Sequence, residues 1–79
     1  MKLLVTGGLG FIGSNFILQI LKNYPKYEII NIDDELPGSN HLSLVDVKNH
    51  QNYKFVKGNI TDSKLMEKLI SQSDQIVNF

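Results

Sequence analysis

Four glycines fall within seven positions of the stretch Val5-Thr6-Gly7-Gly8-Leu9-Gly10-Phe11-Ile12-Gly13. Residues without side chains cannot react. They can let a backbone come close to a charged ligand. The first-turn N–H groups of a helix lack intrahelical acceptors, and the helix dipole adds partial positive charge there. A strand that feeds such a helix through a tight turn therefore builds an anion site, most often for phosphate. The spacing Gly8-x-Gly10-x-x-Gly13 is the one that dinucleotide sites use. Gly7 or Gly8 would make the turn, Gly10 would face the pyrophosphate, and Gly13 would sit under the helix against the sheet. A Walker phosphate loop is excluded, because no Gly-Lys-Ser/Thr follows.

The next group able to do chemistry is Asp33, 20 residues after Gly13 at the end of an apolar run. A carboxylate there accepts bonds from the ribose hydroxyls and repels a 2′-phosphate. Asp34 and Glu35 add negative charge and no Arg is nearby, so NAD is expected rather than NADP. Glu35 reads equally well as a residue that only solvates a loop. The run Asp33-Asp34-Glu35 lacks the glycine-bounded spacing of a calcium loop. His41 and His50 have no partnered ligand spacing and read as solvated surface residues. Tyr53 and Lys57 lie on an expected strand, where four residues span roughly 13 Å, so they do not converge as a catalytic Tyr-x-x-x-Lys pair would on a helix.

These residues need elements to hold them. Lys2 to Val5 is a short apolar run that suits a strand buried on both faces. Ile12, Phe16, Ile17, Ile20, Leu21 and Tyr24 form one helical stripe, stopped by Pro25. Tyr27 to Ile32 is a second strand. Pro37, Gly38, Ser39 and Asn40 mark a loop. His41 to Val47 is ambiguous between loop and one or two helical turns. Tyr53 to Lys57 is a third strand, closed by Gly58. Asp62 or Ser63 can cap a helix whose inward stripe is Leu65, Met66, Leu69 and Ile70. Asp74 to Phe79 reads as a fourth, buried strand. Alternation of this kind argues for a parallel sheet with right-handed crossovers.

Composition narrows the class. The chain has 79 residues, a formal net charge of zero and no cysteine. That leaves no electrostatic case for nucleic acid and excludes disulfides and thiolate metal sites. No apolar run approaches the roughly 18 residues of a membrane span. A cytoplasmic protein is expected. The apolar strand Gln75 to Phe79 at the end of the sequence suggests a sheet that continues further, because an open edge invites pairing with other chains. On that reading residues 1–79 are an incomplete domain, and the isolated chain would associate through the cut edge.

The residues quoted so far resemble a known family. Thr6-Gly7-Gly8-Leu9-Gly10-Phe11-Ile12-Gly13-Ser14-Asn15 is similar to the opening of extended short-chain dehydrogenases/reductases, whose variant spacing Gly7-x-x-Gly10-x-x-Gly13 is also present. Asn31-Ile32-Asp33, the Gly38-Ser39-Asn40 loop, Tyr53 to Ile60 and Ile76-Val77-Asn78-Phe79 resemble, within them, the dTDP-glucose 4,6-dehydratases. The resemblance implies a Rossmann-type α/β fold, a doubly wound parallel sheet with strand order 3-2-1-4. It implies NAD as cofactor, a nucleotide-sugar substrate and a homodimer. By the same resemblance Phe11 and Ile12 lie on the pyrophosphate, and Asp33 holds the ribose. Asp34, Glu35 and Leu36 run past the adenosine, and Asn59 and Ile60 flank the adenine. Two positions depart from the family pattern: Asp34 stands where Lys is usual, and Asn59 where Asp is usual.

The chemistry that the resemblance implies is oxidation of the sugar at C4, elimination of water across C5 and C6, and return of hydride to C6. Its Tyr-x-x-x-Lys pair and acid–base groups are expected beyond Phe79, so no catalytic residue is assigned within these positions. Two rivals stand beside this reading. One is a UDP-sugar 4-epimerase or decarboxylase of the same superfamily. The other is a dinucleotide-binding module without catalysis.

Overall fold

Aliphatic residues crowd the two inner strands, Lys2–Thr6 and Glu28–Asp33, which are largely buried on both sides. In a computed structural model of the chain, which describes residues 1–35 and 41–79, β1 spans Lys2–Thr6, β2 Glu28–Asp33, β3 Tyr53–Lys57 and β4 Gln75–Asn78. All pairings are parallel and the order is β3-β2-β1-β4. The strand order and class expected from the sequence are those observed. Helix α1 covers Phe11–Asn23, a 3-10 turn covers His41–Leu44, and α2 covers Ser63–Ser71.

Alternation along the strands divides the core in two. Val5 and Ile29 face α1 and the 3-10 turn, and pack with Leu9, Ile17, Leu21 and Leu44. Leu4, Ile30 and Ile32 face the other way and pack on Leu69 of α2. Helices thus cover opposite faces of one sheet, as double winding requires. Asp62 caps α2 by accepting from the Leu65 N–H at 3.1 Å.

Two expectations need correction. The inward side of α1 is rotated from the expected stripe. Gly13, Ser14, Ile17 and Leu21 are buried, while Ile12 and Tyr24 are exposed. The rotation follows from Gly13, which must abut the glycine turn. β4 is not a buried strand but a sheet edge, with Ile76 48% and Phe79 46% exposed.

Asn31 is fully buried in the middle of β2. Its side-chain oxygen accepts from the Gly8 N–H at 3.0 Å, and its amide donates to the Tyr53 hydroxyl at 3.1 Å. The amide thus ties the glycine turn to β2 and to β3. Burial pushes the Tyr53 phenol above its ordinary value, against the pull of the Asn31 bond, and the Asp33 charge adds to the rise. Asn31→Val should leave the Gly8 N–H without an acceptor and cost about 1–3 kcal/mol. Urea denaturation should show a lower midpoint at unchanged slope. An unchanged midpoint would mean that the amide is dispensable.

Candidate functional site

The site lies where parallel strands point their C-terminal ends, at the crevice where the order reverses between β1 and β4. β1 runs into Gly7, which alone among the described glycines has a positive φ, 73°. An L-residue with a side chain avoids that region. The Gly7 N–H donates to the Ile32 carbonyl at 3.0 Å, and the Gly10 N–H returns to the Gly7 carbonyl at 3.2 Å, which closes the turn. Gly8 has no room for a side chain either. A Cβ there would lie 2.3 Å from the Asn31 side-chain oxygen.

Helix α1 starts at once after this turn. Its N-cap is Gly10, and no side chain caps it. The contrast with α2 is chemical. Asp62 brings a carboxylate to its helix start, whereas the start of α1 has no side-chain cap, an arrangement that suits an anion. Gly10 has open space in front of it, and a Cβ would meet only the Gly7 carbonyl oxygen, at 3.5 Å. Gly13 does not. Its Cβ would come within 2.6 Å of the Gly7 oxygen and 2.9 Å of the Gly8 Cα. The first glycines and the last are thus structural, while Gly10 faces a cleft.

That cleft has a volume of about 1030 Å³. Gly7, Gly10, Phe11, Ile12 and Gly13 form one wall, with Phe11 83% and Ile12 69% exposed. Asp33 and Asp34 follow from β2, and Asn59 and Ile60 from the segment after β3. Nine expected site residues therefore converge on one surface. Thr6, Gly58, Thr61, Asn78 and Phe79 also line it and were not singled out for that role by sequence. The signal that would have found them is position: each lies at or just past the C-terminal end of a strand, or in the turn that follows it. Leu36 lies outside the described residues, as does the Gly38-Ser39-Asn40 loop.

Asp33 is 8% exposed and already anchors backbone. One carboxylate oxygen accepts from the Leu9 N–H at 3.1 Å and the other from the Glu35 N–H at 2.8 Å. Asn59 is more committed. Its amide oxygen accepts from both the backbone N–H and the hydroxyl of Thr61, at 2.9 and 2.8 Å, and its amide nitrogen donates to Asp34 at 3.1 Å. The two positions that depart from the family pattern thus bond to each other.

Glu35 does not line the cleft among the described residues. It adopts a left-handed φ of 59° and turns its carboxylate toward His41, 2.5 Å away, and Lys57, 3.3 Å away. The bond with His41, and next the one with Lys57, hold its carboxyl below the usual carboxylate range. His41 is therefore exposed but partnered, and its ring meets Phe55 edge-on at 4.9 Å. Tyr53 and Lys57 are tied to Asn31 and Glu35 respectively, which separates them as the strand spacing requires.

The described residues contain no helix long and apolar enough to cross a membrane. Comparison with known proteins places this geometry in context. The family model described as GDP-mannose 4,6 dehydratase matches residues 4–79. A dTDP-D-glucose 4,6-dehydratase of Homo sapiens is 41% identical over 75 residues, which cover 95% of this chain and 21% of that protein. The crystal structure of a Bacillus anthracis dTDP-glucose 4,6-dehydratase in complex with NAD superposes with a TM-score of 0.93 at 46% identity, over 100% of this chain and 26% of that one. A UDP-glucose 4-epimerase of Thermotoga maritima, solved with UDP-glucose, gives 0.78 at 30% identity, over 100% of this chain and 24% of that one. The chain therefore spans about a quarter of the length of the proteins it matches, or less.

Proposed function

The chain belongs to the GDP-mannose 4,6 dehydratase family, and from that premise we infer that it is the N-terminal, NAD-binding portion of a dTDP-glucose 4,6-dehydratase. The observation that carries this reading is the cleft that joins the uncapped start of α1 to the Asp33 carboxylate. A pyrophosphate rests on the backbone of Gly10, Phe11 and Ile12, where charge and open space coincide. The adenosine ribose bonds to the Asp33 carboxylate. The adenine lies between the Asp34 side and the Asn59–Ile60 segment. NAD supplies a hydride acceptor when bound. This chain's own residues bind and orient its adenosine half.

The reaction proposed for the whole protein is conversion of dTDP-glucose to its 4-keto-6-deoxy form. The acid, base and Tyr-x-x-x-Lys groups for it belong to the remainder of the protein. The greater likeness to the dehydratase structure than to the epimerase supports this substrate over a UDP-sugar rival. A nucleotide sugar, a homodimer and a cytoplasmic location complete the reading, on the family resemblance.

Calorimetric titration of the whole protein with NAD and NADP, followed by turnover assays with dTDP-glucose and UDP-glucose, tests it. Saturable NAD binding and a 4-keto product from dTDP-glucose alone are expected. NAD binding without turnover of any nucleotide sugar would favour the non-catalytic module. Failure to bind NAD would overturn the reading altogether.

A further inference from the structure

Cofactor choice at a site of this kind turns on the charge that a 2′-phosphate would meet. Asp33 supplies one part of that charge, and the structure shows a second device beside it. Lys57 is the register partner of Asp33 across the β2–β3 pair. Neighbours in parallel register share a sheet face, so the Lys57 side chain rises on the same face as the Asp33 carboxylate. An ammonium there is the kind of group that holds a phosphate.

That ammonium is exposed but partnered. Glu35 binds His41 through one carboxylate oxygen and Lys57 through the other. The backbone is bent to allow it. Glu35 sits in the left-handed region, which costs a residue with a side chain about 1–2 kcal/mol, and its N–H is fixed on Asp33 at 2.8 Å. Turned this way, its carboxylate faces Lys57 and His41 instead of the cleft.

We propose that Glu35 determines cofactor selectivity by occupying Lys57, so that its ammonium is not offered to a 2′-phosphate. The inference rests on the NAD-binding reading above and adds a positioning residue to it. Asp33 favours the free ribose directly. Glu35 acts through Lys57, as an internal anion in place of the phosphate.

The test is titration of the whole protein with NAD and with NADP, as four forms: unmutated, Glu35→Gln, Lys57→Gln and the double variant. Circular dichroism melts accompany them. Glu35 and Lys57 are both exposed, so folded variants are expected. Glu35→Gln should strengthen NADP binding roughly tenfold, the scale of one charge-assisted bond, with NAD changed by less than about threefold. The gain should disappear in the double variant, because Lys57 is the group released. A gain of equal size with and without Lys57 would overturn the proposal, since Glu35 would then act only by its own charge. No gain in NADP affinity would overturn it too. Unmutated protein that binds neither cofactor would instead remove the reading beneath it, an outcome distinct from both.

Discussion

Gly13→Ala should destabilise the chain severely, whereas Gly10→Val should leave it folded and unable to hold NAD. The two glycines lie three positions apart and meet opposite surroundings. At Gly13 the added carbon would press on the Gly7 oxygen at 2.6 Å and the Gly8 Cα at 2.9 Å. Both are backbone atoms of a turn that Asn31 fixes from below, so neither can rotate away. Overpacking of this sort costs about 1–3 kcal/mol, toward the upper end when backbone must move. Alanine returns about 1 kcal/mol of helix propensity. A net loss of about 2 kcal/mol lowers Tm by roughly 8–16 °C in a domain of this size. At Gly10 the backbone is extended, φ −73° and ψ 170°, and the new carbon touches only the Gly7 oxygen at 3.5 Å. Folding should change by less than about 1 kcal/mol, the range of N-cap substitutions. The valine methyls would then stand where the pyrophosphate approaches, and NAD affinity should fall at least tenfold, about 1.4 kcal/mol or more. Thermal melts and calorimetry separate the two outcomes. A folded Gly10→Val protein with unchanged NAD affinity would refute the assignment of that wall.

Asp33→Asn should be almost as damaging as Asp33→Ala. In a site where the carboxylate met only a ribose, the amide would keep half of the contacts. Here both oxygens already accept backbone N–H groups, from Leu9 and from Glu35. An amide turns one acceptor into a donor, which faces a donor in either orientation. Either substitution should therefore weaken NAD roughly ten- to a hundredfold, the equivalent of about 1.5–3 kcal/mol for bonds to a charged group. Either should also loosen the turn at Leu9, which is 1% exposed. The expected signature is a joint loss: lower NAD affinity, a smaller preference over NADP and a lower melting temperature. Asparagine that retains full NAD binding would show that the ribose does not depend on this carboxylate. Equal affinity of the unmutated protein for NAD and NADP would sink the assignment as well.

Much of this was legible in the sequence because it depends on local rules. Apolar runs between glycine and proline marked the strands to within one residue at β1, β2 and β4, and β3 came out at the expected bounds. The glycine spacing marked the turn, and Asp33 followed from its distance to it. What could not be read depends on contacts between distant segments. The rotation of α1 is set by Gly13 against the backbone of Gly7 and Gly8, which a hydrophobic stripe does not encode. Asn31 counted only as part of the Asn31-Ile32-Asp33 stretch, because its two bonds under the turn join segments far apart in the chain. His41 gave no sign of its partner, because its contact with Glu35, six positions away, follows no helix or strand spacing. Thr61 escaped notice for the same reason, since its bonds to Asn59 form only once the chain bends after β3.

The pairing of β1 with β4 has a temporal side. Leu3 lies opposite Gln75, and the Thr6 hydroxyl bonds to the Asn78 side chain 72 positions later. On a ribosome adding about 5–20 residues per second, that interval lasts roughly 4–14 s. During it β1 can pair with β2 but not yet with β4, so one flank stays bare. Contacts of such long span also slow folding once the polypeptide is free. β1 is thus made well before its second flank is covered. A nascent chain stalled before Gln75 would present Leu3, Leu4 and Val5 to chaperones for as long as the stall persisted.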